Sequence, residues 1–94
     1  MKALIIKHKT DKGKKAINEI IFKTEEEYNI GKISSAKRAI YDLFVFEDGI
    51  IKINAVDPAK TVIVKMLIKP RFKRMLKKDD CKINLDYTIT VEDI

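Results

Sequence analysis

The sequence predicts a single α+β domain, and three observations carry that expectation. Ninety-four residues leave room for one core, since a chain of this size buries only ~60–65% of the surface it exposes when unfolded. A short apolar run near the start is followed by an apolar stripe of helical period, and residues with period two occupy the end. Between them, Asp48-Gly49 separates two runs of β-branched and aromatic residues, the pattern of a hairpin.

Taken in order, Met1–Lys9 reads as a strand built on Ala3, Leu4, Ile5 and Ile6. Thr10 or Asp11 can cap a helix, because a short side-chain oxygen accepts from free N–H groups at a helix start. Ile17, Ile20, Ile21, Thr24 and Tyr28 then recur on one helical face. Gly13 is a weak point in that helix's first turn, and Asn29 and Gly31 supply its stop. Ile33 to Phe46 reads as a strand, with a short helix from Ser35 to Leu43 as the alternative, placing Ala36, Ala39, Ile40 and Leu43 on one side. Ile50–Ile53 is the partner strand after the Asp-Gly turn.

Asp57-Pro58 opens the next helix, with Asp as cap and Pro at the first helical position. Ala59, Val62, Ile63, Met66 and Leu67 keep helical spacing up to Pro70, although the β-branched run Thr61–Val64 also suits a strand. Phe72–Leu76 reads as a short strand. From Cys81, the residues Ile83, Leu85, Tyr87, Ile89 and Val91 alternate with polar ones, as in a half-buried strand or strand pair. The order strand, helix, strand, strand, helix, strand describes a ferredoxin-like β-α-β-β-α-β sandwich. It has an antiparallel sheet, both helices on one face and an extra C-terminal strand.

Composition narrows the function classes. Hydrophobic residues are 46% and charged residues 36% of the chain, which excludes a disordered tail, and no apolar run reaches the ~18 residues of a membrane span. Met1–Lys15 lacks the apolar stretch and small-residue cleavage site of a secretory signal. One Cys and one His exclude an internal disulfide framework and make a protein-only zinc site improbable. The expected context is a small, basic, cytoplasmic protein. With 17 Lys, 16 Ile and no Gln, the composition is compatible with an AT-rich genome and with a heat-adapted source.

The net charge of +6 is unevenly distributed. Residues 1–23 carry +5, residues 24–60 carry −2, residues 61–78 carry +7 without a single acid, and residues 79–94 carry −4. Segregation of this kind favours a polyanionic partner, here RNA. Two clusters are the candidate nucleic-acid-binding residues. One is Lys7, His8, Lys9, Lys12, Lys14 and Lys15; the other is Lys69, Arg71, Lys73, Arg74, Lys77 and Lys78, with Phe72 interleaved. Cations bind phosphates with release of counterions, and an aromatic can stack on an unpaired base. Phe72 also reads as a core residue, the commoner role for an isolated Phe in a strand. In the expected fold the first and last strands lie close enough for the two clusters to merge.

Nothing comparable supports catalysis. His8 lies between two lysines with no Cys, Ser or acid spaced as a partner, and the three glycines at 13, 31 and 49 stand alone, so there is no phosphate-binding loop. Cys81 reads as a small buried hydrophobe. An Asp79, Asp80, Cys81 and His8 metal set is countable, but neighbours on a strand diverge and thiolate and carboxylate suit different ions. No cofactor or metal is expected. The rival reading is a protein–protein adaptor, or a homodimer, that pairs through the long C-terminal strand.

Gly49-Ile50-Ile51-Lys52-Ile53, Val56-Asp57-Pro58-Ala59, Lys69-Pro70-Arg71-Phe72-Lys73-Arg74-Met75-Leu76 and Asp79 are together similar to the small ferredoxin-like domain that precedes THUMP domains in tRNA-modification proteins. The THUMP domain itself is not within these 94 residues. That resemblance implies association with RNA. The element order also resembles the NusG N-terminal domain, which binds RNA polymerase, although that family's distinctive aromatic residues are not matched.

Overall fold

The computed structural model describes residues 2–31, 33–55, 62 and 64–93. Strand β1 (Lys2–His8) leads into helix α1 (Asp11–Ile30), followed by a short helix α2 (Ser35–Tyr41). The hairpin β2 (Phe44–Glu47) and β3 (Ile50–Ala55) comes next. A π-helical turn, Val64–Ile68, then runs directly into α3 (Lys69–Lys78), and β4 (Tyr87–Asp93) closes the sheet. The domain is α+β, with one four-stranded sheet in the order β2-β3-β1-β4 and every neighbouring pair antiparallel.

Alternation along the strands decides which face is covered. Leu4 and Ile6 of β1 stand in register with Ile53 and Ile51 of β3, and all four are buried. Ile17 and Ile20 of α1 and Phe72 and Leu76 of α3 complete the same core, so both long helices cover one face of the sheet. The opposite face carries Ile5, Lys7, Val45, Glu47, Ile50, Lys52, Thr88 and Thr90. Val45 is 43% exposed there.

The cap and stop of α1 follow the sequence. Thr10 is extended and its hydroxyl accepts from the Gly13 amide at 3.1 Å. Gly31 takes φ 74° and donates its N–H to the Tyr28 carbonyl. The β2–β3 turn places Gly49 at φ 70°, and its carbonyl accepts from the His8 amide at 3.1 Å.

Several expectations are corrected. Residues 35–41 are helical, which leaves β2 only four residues long; Ala39 is exposed, and Ile40 and Leu43 pack on the core. Phe72–Leu76 is not a strand but the middle of α3. Pro70 lies in that helix's first turn, where its missing N–H breaks nothing. Within the second helical region, Val62, Met66 and Leu67 are exposed while Val64 and Ile68 are buried, because the π turn rotates the apolar positions. The Asp57-Pro58 helix start lies outside the described residues.

The C-terminal alternation is corrected as well. It becomes strand only from Tyr87, because Cys81–Asp86 folds as a turn in which Asn84 takes φ 68°, just after Asp80 at φ 60°. The expected extra strand is therefore absent among the described residues: the C-terminal strand is the fourth strand itself. No helix among the described residues is long and apolar enough to cross a membrane.

Candidate nucleic-acid interface

α3 is amphipathic with a sharp division. Phe72 and Leu76 point into the core, Met75 packs beside them, and Lys73, Arg74, Lys77 and Lys78 are exposed. At about 100° per residue, positions 73, 74, 77 and 78 fall together on the side opposite Phe72. Lys69 and Arg71 are half-buried on the flanks, and Arg71 lies 4.0 Å from the Glu27 carboxylate. The helix carries no acid, and its cationic face from Lys73 to Lys78 runs ~7–8 Å along the axis.

The other cluster is dispersed. Lys7 projects from the sheet face opposite the helices, in register with Ile50 and Thr88. His8 turns the other way, and its Nδ1 donates to the Gly49 carbonyl at 3.0 Å, which commits that nitrogen to the hairpin. Lys9 donates to the Asn84 carbonyl at 3.1 Å. Lys12 pairs with Asp80 at 3.3 Å and Lys14 with Asp48 at 3.0 Å. The Asp48 carboxylate raises the Lys14 ammonium above its ordinary value. Lys15 is exposed.

The two clusters meet only in part. The start of α1 sits beside the end of α3, where Lys12, Lys15, Ala16, Glu19 and Asp79 line one shallow depression of about 200 Å³. Lys12 and Lys15 thus share the helix side of the molecule with Lys77 and Lys78, whereas Lys7 faces away. Cys81 and Asp86 hold this junction. The Cys81 thiol is buried 3.8 Å from the Lys12 carbonyl, and its burial pushes its pKa up. The Asp86 carboxylate accepts from the Lys82 amide at 2.8 Å and from the Thr10 hydroxyl at 2.9 Å, which hold its pKa down.

Phe72 is not available for stacking. It is 4% exposed, with its ring centroid 5.9 Å from that of Phe44. The aromatic that does face solvent is Phe22, 67% exposed on the outer side of α1. It shares a broad surface depression of about 510 Å³ with Lys14, Lys15, Lys23 and Asn18 and with the carboxylates of Asp11 and Glu19. The sequence signal for it was its absence from the Ile17–Tyr28 stripe. Five residues after Ile17 is about 140° away around a helix, so the ring belongs to the solvent side.

The sheet face opposite the helices carries no aromatic side chain among the described residues. Stacking of bases across the sheet, the mode of RNA-recognition sheets, therefore has no platform there. Among the described residues no cluster of three His, Cys, Asp or Glu side chains is arranged to hold a metal ion. No family model, curated protein or solved structure matches the chain.

Proposed function

We propose that this chain is a non-catalytic, RNA-associating domain that binds phosphates through the exposed face of α3. The observation that carries the reading is the convergence of Lys73, Arg74, Lys77 and Lys78 on one exposed, acid-free helix face. Lys12 and Lys15 extend that surface, and Phe22 is the exposed aromatic on the same helix layer. Recognition of this kind follows the backbone and is strongly salt-dependent, with little base readout. A buried Cys81 thiol supports the non-catalytic reading.

A ferredoxin-like assignment is part of the proposal. It is supported by the order β2-β3-β1-β4, in which β3 lies between β1 and β2 while β1 lies between β3 and β4. The added helix α2 is a departure from the simple pattern. The similarity to the domain preceding THUMP points the same way, to RNA.

The test is the simultaneous replacement of Lys73, Arg74, Lys77 and Lys78 by Gln, with binding to a structured RNA titrated across salt concentrations. Affinity should fall, and the slope of log K against log salt should flatten by about 0.7–0.9 for each phosphate that is no longer neutralised. Unchanged binding by a folded quadruple variant refutes the assignment.

A second reading has its own observation. β4 is an edge strand of seven residues that, beyond the Ile83–Tyr87 bridge at its start, has no outer sheet neighbour among the described residues, and such an edge can pair with another chain. A nucleic-acid-free dimer in size-exclusion chromatography with light scattering supports an adaptor or homodimer through this strand. A monomer that shifts only when RNA is added supports the first reading.

A further inference from the structure

On the far side of α1 from the β1–α1 turn lies a pocket lined by aromatic and acidic side chains. It is a cleft of about 440 Å³ between the end of α1, α2 and β2, within the ~300–1,000 Å³ range of small-ligand sites. Its walls include the rings of Tyr28, Tyr41, Phe44 and Phe46 and the carboxyl-bearing side chains of Glu25 and Asp42. None of the described residues lining it is basic, and the nearest cations are Arg38, over the Tyr28 ring, and Arg71, beside the Tyr41 hydroxyl.

Ring geometry gives the cleft aromatic walls at different inclinations. Phe44 and Phe46 stand 5.7 Å apart at 68°, and Tyr41 and Phe44 stand 5.3 Å apart at 31°. Asp42 is fixed at the rim by the Tyr28 hydroxyl, which donates to its Oδ1 at 2.7 Å. The aromatic wall already attracts a cation of the protein itself: the Arg38 guanidinium lies over the Tyr28 ring, 5.1 Å from its centroid. Aromatic faces attract cations through their quadrupole, and the attraction strengthens when carboxylates are close and water is excluded.

We propose that this cleft is a binding site for an alkylated ammonium group, held against Tyr28, Tyr41, Phe44 and Phe46 and neutralised by Glu25 and Asp42. A quaternary or alkylated amine meets both demands of the site, an apolar surface for the rings and a positive charge for the carboxylates. The same chemistry is offered by a free amine and by a methylated lysine side chain.

The probes are choline and its uncharged isostere 3,3-dimethylbutan-1-ol, titrated into the intact protein and followed through the ring-proton resonances of the four aromatic residues. Choline should shift those resonances and bind about tenfold more tightly than the isostere. Combined Glu25→Gln and Asp42→Asn substitution should weaken choline about three- to tenfold, while the asparagine keeps an acceptor for Tyr28 and the far-ultraviolet dichroism stays unchanged. Equal binding of the isostere, shifts that map elsewhere, or no shift at tens of millimolar choline overturns the proposal. An N-acetyl trimethyl-lysine amide that binds more tightly than choline identifies a protein side chain as the source; tighter binding of choline identifies a free amine.

Discussion

Replacing Gly13 by alanine should destabilise the protein, against the usual direction for a helix. In an exposed helix interior, Gly to Ala gains about 1 kcal/mol. Here a Cβ at position 13 would overlap the Asp86 carbonyl oxygen and lie 2.9 Å from its carbonyl carbon. That oxygen cannot readily retreat, since it accepts from the Lys9 amide at 2.8 Å and the Thr10 amide at 3.3 Å. Overpacking of this kind costs about 1–3 kcal/mol, and loss of one or both hydrogen bonds adds roughly 0.5–1.5 kcal/mol each. Against the helix gain of about 1 kcal/mol, the net loss spans roughly 0.5–5 kcal/mol and centres near 2–3 kcal/mol. For a domain of this size that lowers the thermal midpoint by roughly 10–20 °C. Circular dichroism melts and urea titrations of the two proteins measure it directly. A variant as stable as the parent, or more stable, would refute the close approach of α1 to the 81–86 turn.

Three other outcomes follow from the same packing. Phe72→Ala should cost about 3–5 kcal/mol by opening a cavity in the core, whereas Phe72→Leu should stay folded and bind RNA with unchanged affinity; weaker binding by the folded leucine variant would return Phe72 to the interface. The Asp86 carboxyl is held below its ordinary value of 3.8 by the Lys82 amide and the Thr10 hydroxyl, so the stability it contributes is present above that value and is lost as pH falls through the lower folded value. Unfolding midpoints measured from about pH 6 down to about pH 2 should drop at the acid end, and Asp86→Asn should flatten that drop; an unaltered acid limb contradicts this role. Asp48, held down by Asn18 and Lys14, adds to the same limb and should leave a smaller residual slope in the Asp86→Asn protein.

Much of the fold was legible because local chemistry and global packing agree at those places. Thr10, Gly31 and Asp48-Gly49 each act through backbone geometry a few residues away, so their neighbours in sequence suffice to read them. The Ile17–Thr24 stripe meets the core it implies. The errors fall where tertiary context prevails. Phe72–Leu76 contains no residue that forbids either strand or helix, and its helical state follows from continuity with the π turn and from Pro70 lying in the first turn. Cys81–Val91 alternates throughout, yet Asn84 turns left-handed and the Lys82 amide bonds the Asp86 carboxylate, which closes a turn over the first half. Period two in sequence cannot distinguish a strand from a turn followed by a strand. For the site, charge density was visible but its partners were not, because Asp80 and Asp48 reach Lys12 and Lys14 from 68 and 34 residues away in the chain.

The change from strand to helix in residues 72–76 also changes what the cations there can do. Along a strand, Lys73 and Arg74 would project from opposite faces, leaving one of the two on the side that packs. A helix instead brings positions 73, 74, 77 and 78 together, because residues three and four apart are neighbours on its surface. Like charges so placed repel one another, at roughly 0.2–0.5 kcal/mol for each close pair, and no acid in α3 relieves that. The buried side supplies the compensation, since Phe72 and Leu76 anchor the helix on the sheet. An anion spanning the outer face would remove the repulsion as well as gain attraction. Binding of a polyanion should therefore raise the thermal midpoint of the parent more than that of the quadruple Gln variant. Equal shifts in the two proteins would place the binding surface away from α3.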